Sequence, residues 1–228
     1  KVSAYKPDGT SNFDHPSWKA SIKWLGELST VHKIQPSLPE FKAKKLQYDS
    51  FMSGKFGMEM IGTWFLDIAS QYDKYPRDWK IGVCAPPANP NGLNVLSAGG
   101  GWGINKNSAH PKEAFKFMTF VCENEYKVAN GLPARIDITK ADMMEAFKVM
   151  SEKLQGEISV EDLYSAIYPS HLGVANEKII GPASAQINDI VAKESEKYFF
   201  GAQTLDAAMK NMKTKADEAI AKSKKTKS

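Results

Sequence analysis

The chain has 228 residues, 42% of them hydrophobic and 25% charged, which is the balance of a soluble globular protein long enough for one large domain or two modest ones. Its 30 Lys and Arg exceed its 26 Asp and Glu by four. Much of that excess lies in the terminal run Lys222-Ser-Lys-Lys-Thr-Lys-Ser228, a solvated end and not the basic stripe with interleaved aromatics that a nucleic-acid binder carries. No run of residues is apolar for long enough to span a bilayer.

In chain order, Pro7-Asp8-Gly9 signals a turn, and Asp14-His-Pro16 opens a helix with proline in its first turn. Trp18, Ile22, Leu25 and Leu28 recur at helical spacing, so 16–32 reads as an amphipathic helix whose packing also takes Trp24. Pro36 and Pro39 follow it. A shorter helix is expected over about 43–53, then a strand over 56–61, a helix starting at Thr63, and a second strand over 79–85 in the same sheet. Cys84 and Cys122 both sit in apolar runs and read as small core residues. Residues 93–105 form a glycine-dense strand or crossover, and Ser108-Ala-His-Pro-Lys-Glu113 caps a helix with Ala114, Phe117, Met118 and Val121 on its apolar face. Further helices are expected over about 123–129, 140–154, 160–168, 182–199 and 204–222, the last capped by Thr204. The class is α/β, with few strands and many helices.

Little in this sequence carries reaction chemistry. His15, His32, His110 and His171 have no partner at metal-ligand spacing, so no metal or cofactor is expected. The run Gly99-Gly-Gly-Trp-Gly103 lacks the Lys-Ser/Thr ending of a phosphate loop. Glu59, Asp67 and Asp73 are carboxylates that nothing pairs for glycosidase work. Two tryptophans remain. Trp64 stands where the expected strand ends at Gly62 and a helix begins, and Trp102 stands among glycines that let a ligand approach the backbone. Either could offer a flat plate to the C–H face of a sugar; packing in a core is the ordinary alternative for both.

Six segments in series carry a family resemblance. They are Phe51-Met-Ser-Gly-Lys-Phe-Gly-Met-Glu-Met-Ile-Gly-Thr-Trp64, Ile81-Gly-Val-Cys-Ala-Pro-Pro87, Ser97-Ala-Gly-Gly-Gly-Trp-Gly-Ile-Asn105, His110-Pro-Lys-Glu-Ala-Phe-Lys-Phe-Met118, Gly131-Leu-Pro-Ala-Arg135 and Gln203-Thr-Leu-Asp-Ala-Ala-Met209. In order and spacing the chain resembles the family 1 extracellular solute-binding proteins, the maltose-binding-protein-like components of ABC sugar importers. The resemblance implies a periplasmic-binding-protein-like fold of class II, closing as a clamp on a sugar or oligosaccharide and docking on ABC permease subunits. It implies a binding protein and not an enzyme, extracytoplasmic in the periplasm or as a cell-surface lipoprotein, monomeric, and held to the membrane only by an N-terminal lipid anchor. Carried over residue by residue, it points to Trp64 with its neighbour Thr63, to Gly100, Gly101 and Trp102 of the crossover, and to Arg135 as ligand contacts. Tyr168 to Asn176 departs from the family pattern.

By the family's chain crossings, 1–97 and 142–228 belong to the C-terminal lobe and 98–141 to a hinge crossover and a piece of the N-terminal lobe. The expectation is therefore a partial chain, helix-rich with a small sheet, lacking signal peptide and first lobe. A polyamine, metal complex or phosphorylated compound on the same scaffold is the alternative ligand, and a glycan-active enzyme the more distant one.

Overall fold

The computed structural model describes residues 2–87, 95–97, 101–127, 137–167, 174–176 and 178–225, with 95–97 and 174–176 described through their backbone. In chain order these hold α1 (Pro16–Thr30), α2 (Leu38–Ala43), a 3-10 helix (Tyr48–Ser53), α3 (Phe65–Ala69), β1 (Val95–Ser97), α4 (Pro111–Asn124), a second 3-10 turn (Glu125–Lys127), α5 (Lys140–Lys153), α6 (Val160–Ile167), β2 (Val174–Asn176), α7 (Ser184–Phe199) and α8 (Leu205–Lys225). They group into two compact units, Lys1–Leu46 with Lys178–Ser228, and Gln47–Glu177.

The first unit begins as expected with a turn. Asp8 Oδ1 accepts from the Thr10 N–H at 2.8 Å, Gly9 takes a positive φ of 79°, and Tyr5 and Ser11 bridge across it. The His15 ring then caps α1 by accepting from the Ser17 N–H, with Pro16 entering where no N–H is needed. Ile22 is buried in a core with Phe13, Ile187, Met212, Ala216 and Ile220, and Trp18 packs edge-on against Phe13 at 4.9 Å. Trp24 differs from the expectation: it is exposed. Two residues beyond Ile22 is about 200° around a helix, so Trp24 lies opposite the buried face that Trp18, four residues before Ile22, shares.

Thr204 caps α8, its hydroxyl accepting from the Ala207 N–H at 3.2 Å. Between α7 and α8, Glu194 is buried and accepts from Lys215 Nζ at 2.6 Å, Lys197 Nζ at 2.8 Å, Gln203 Nε2 at 3.0 Å and Asn211 Nδ2 at 3.3 Å. Burial alone would raise its pKa. Those four donors outweigh that and hold the carboxyl at about 2.

The second unit is built on α5 and α6. Thr139 and Asp142 form a reciprocal capping box at the start of α5. Met143, Phe147 and Met150 of α5, Leu163 of α6, and Leu154 and Ile158 between them enclose Met52, Phe65, Leu66, Ala69 and Ile81. β1 and β2 pair in parallel, with Val95 opposite Val174 and Ser97 opposite Asn176.

Several expectations are corrected here. Neither 56–61 nor 79–85 joins a ladder. Alternation reports which side chains face in, whereas a strand also needs a neighbouring backbone. Trp79, Ile81 and Val83 nevertheless pack on the core. Cys84 therefore faces out and is exposed, Cys122 is half-buried, and both are free thiols, so neither is the core residue expected. In place of a strand partner, the Ile81 N–H donates to the Glu157 carboxylate. The same carboxylate pairs with the buried Arg77 guanidinium and accepts from the Tyr72 hydroxyl at 2.8 Å. Burial pushes Glu157 up, but Arg77, the Ile81 N–H and Tyr72 together hold it below the usual carboxylate range.

The face expected for α4 is covered only in part: Ala114, Met118 and Val121 are half-buried, whereas Phe117 is exposed, as are Phe115 and Phe120 outside that face. The helix has a proline entry with Glu113 in its first turn, and periodicity does not name what should cover it.

Candidate ligand-binding site

Three local devices place Trp64. Gly54, with φ 72°, ends the 3-10 helix and brings the chain directly under the Trp79 indole: a Cβ there would lie 2.8 Å from Nε1. The chain then runs extended to Gly62, where a Cβ would lie 2.7 Å from Cδ1 and Nε1 of Trp64. The missing side chain at 62 lets the indole fold back over the backbone. Finally, the Phe65 N–H donates to the Gly62 carbonyl and the Leu66 N–H to that of Thr63, which starts α3 with Trp64 at its cap and with Phe65 and Leu66 in the core. Thr63 is exposed beside it.

Trp64 is 50% exposed, so core packing, the ordinary alternative for this tryptophan, does not hold. Its ring meets Phe65 at 6.2 Å and Tyr48 at 5.4 Å with the planes 80° apart. Tyr48 is half exposed as well. Its chain neighbour Asp49 accepts from the Tyr75 hydroxyl at 2.7 Å. Glu59 is raised by burial first and by the charge of Asp49 second. Two aromatic rings thus meet in one part of the second unit, with Asp49 next to Tyr48 in the chain. Met58 and Met60, 90% and 86% exposed, lie on the segment that leads to it.

The other expected contacts are placed differently or not at all. Trp102 is 60% exposed and meets no aromatic ring among the described residues, so the structure does not join it to Trp64. A Cβ at Gly101 would meet nothing within 4 Å, so the space beside that glycine is open. Gly100 and Arg135, and all but the 174–176 backbone of the stretch from Tyr168 to Asn176, lie outside the described residues. Sequence reasoning missed Tyr48 and Asp49. They stand 16 and 15 residues before Trp64, and only the reversal at Gly54 brings them back to it. No group of three or more His, Cys, Asp or Glu among the described residues could hold a metal ion.

The family of bacterial extracellular solute-binding proteins matches residues 2–128, more than half of the chain and including Tyr48, Trp64 and Trp102. The chain belongs to that family. Membership brings a periplasmic-binding-protein-like fold and an extracytoplasmic location, and no helix among the described residues is long and apolar enough to cross a membrane. The chain is also similar to proteins of Brucella abortus strain 2308 and Brucella suis biovar 1 strain 1330 that are named only as candidate binding proteins. Each is 26% identical over 222 residues, covering 94% of this chain and 49% of the relative. The chain thus spans about half the length of the curated relatives it matches. No solved structure matches it significantly.

Proposed function

We propose that this protein captures a sugar or oligosaccharide outside the cytoplasm and delivers it to the permease of an ABC importer, by binding and without catalysis. The observation that carries this reading is Trp64: a half-exposed indole held by Gly62 and Phe65 at the start of a helix, in a chain of a solute-binding family. A rigid aromatic plate suits the apolar C–H face of a pyranose, and its orientation costs no entropy on binding because the fold has already set it. In this reading Thr63, Gly100, Gly101, Trp102 and Arg135 line the rest of a cleft between two lobes. Residues 1–97 and 142–228 then belong to the C-terminal lobe, and 98–141 cross through the hinge into the N-terminal lobe.

Asp49 favours a second reading, a cationic solute such as a polyamine, since a carboxylate next to an aromatic residue attracts an ammonium group. A thermal-shift panel of maltose, maltotriose, trehalose, xylobiose, galactose and spermidine on the complete gene product separates the two. A ligand at 100 times its Kd stabilises by about 2.7 kcal/mol and raises the melting temperature. At least one sugar is expected to do so, and Trp64→Ala to weaken it by roughly 10- to 200-fold, the equivalent of about 1–3 kcal/mol of lost stacking. A shift with spermidine alone would replace the sugar reading with the cationic one.

A further inference from the structure

We propose that Tyr48 is a second ligand-binding plate, forming with Trp64 an aromatic corner that holds one saccharide unit on two sides. The proposal rests on the sugar reading of Trp64. Nothing in the local sequence around Tyr48 marks it; its place in the fold does. The two rings stand nearly perpendicular, at 80°, with centroids 5.4 Å apart, and both are half exposed. A pyranose stacked on one plane of such a corner meets the other plane along its side. Contact area therefore grows while the number of orientations allowed to the ligand falls.

Polar equipment for that orientation is present. The Tyr48 hydroxyl has no hydrogen-bond partner among the described residues, so it is available to a ligand hydroxyl as donor or acceptor. Asp49 gives one carboxylate oxygen to Tyr75 at 2.7 Å and keeps the other for a further donor. Stacking faces joined to fixed hydrogen-bond acceptors are what a polyhydroxylated ring needs: an apolar plate for its C–H groups and oxygens for its O–H groups. The corner is also held firmly. Tyr48 begins the 3-10 helix whose Met52 is buried in the core, and Trp64 caps a helix whose next two residues are buried.

The experiment is calorimetry on the complete gene product, using whichever of maltose, maltotriose, trehalose, xylobiose or galactose gives the largest thermal shift. Wild type, Trp64→Ala, Tyr48→Ala, Tyr48→Leu, Tyr48→Phe and the Trp64→Ala/Tyr48→Ala double variant are compared. Tyr48 is half exposed, so its variants are expected to keep the wild-type far-ultraviolet circular dichroism, and Tyr48→Leu keeps bulk if the alanine variant does not fold. The expected result is a loss of affinity of about tenfold or more for Tyr48→Ala and Tyr48→Leu. Tyr48→Phe, which keeps the plate and loses the hydroxyl, should lose less. The double variant should lose less than the product of the two single losses, because a ligand unit gripped by a corner is released once either wall is gone. If Trp64→Ala weakens binding tenfold while Tyr48→Ala and Tyr48→Leu stay within twofold, the corner is refuted and the Trp64 reading stands. If neither tryptophan nor tyrosine matters, or wild type binds none of the five sugars, both fall.

Discussion

The buried carboxylate of Glu194 gives the most quantitative prediction. Four donors on α7, α8 and their connection converge on it, and they hold its pKa at about 2 against an ordinary 4.5. A depressed carboxyl contributes stability that is fully present above the unfolded-state value and is lost as pH falls through the folded one. The difference of about 2.5 units corresponds to roughly 3 kcal/mol at pH 7. The same linkage leaves only about 1 kcal/mol at pH 3, and almost nothing once the pH falls below the folded value. Glu194→Gln keeps the shape and one acceptor but removes the charge that Lys197 and Lys215 share. Urea unfolding of wild type and variant, followed by tryptophan fluorescence at pH 7 and pH 3, should therefore show a difference of about 3 kcal/mol that shrinks to about 1 kcal/mol. An equal difference at the two pH values would refute the reasoning, since a packing or shape defect has no reason to titrate.

Other perturbations test the second unit. Glu157→Ala leaves the Arg77 guanidinium buried without its counter-ion and the Ile81 N–H without an acceptor, so a loss of about 3–5 kcal/mol is expected in chemical denaturation. The apolar pair Arg77→Met/Glu157→Leu should recover most of it, and failure to recover any would mean the pair does more than satisfy itself. Gly54→Ala places a side chain in left-handed backbone and against Trp79, so it should cost about 1–2 kcal/mol from the backbone alone and shift Trp79 emission. An unchanged melting temperature would show that the turn can rebuild.

The helices were largely legible in the sequence because their signals are local. Thr204 before Leu205, the Thr139–Asp142 pair and Pro16 each announce a start within a few residues, and the structure uses all three. The inward side chains of 79–85 were legible only in part: the apolar run marks Ile81 and Val83, but Cys84 in the same run faces out. What those residues hydrogen-bond to was not legible, because the acceptor for Ile81 is Glu157, on a turn 76 residues further along. At the candidate site Trp64 stood out through the glycine two residues before it. Tyr48 did not, since its neighbourhood with Trp64 is created by a chain reversal that no periodicity describes. Exposed Phe117 of α4 shows the same boundary: amphipathicity tells that a helix has an apolar face and leaves open what covers it.

The first unit is assembled from two distant pieces of chain, and that bears on the order in which the protein acquires structure. The Ser11 N–H donates to Asp217 Oδ1, 206 positions further along, and Phe13 and Ile22 share a core with Ile187 and Met212. Residues 2–46 are synthesised long before α7 and α8 exist, while the second unit lies wholly between them. On the ribosome, the second unit can therefore close on itself while the early hairpin and α1 still present Phe13, Trp18 and Ile22 to solvent. The loop-closure cost of the first unit is met only after the intervening segment has condensed and drawn the two pieces together. Anything that slows or loosens the second unit, such as loss of the Arg77–Glu157 pair, would then appear as delayed maturation of a region it does not belong to.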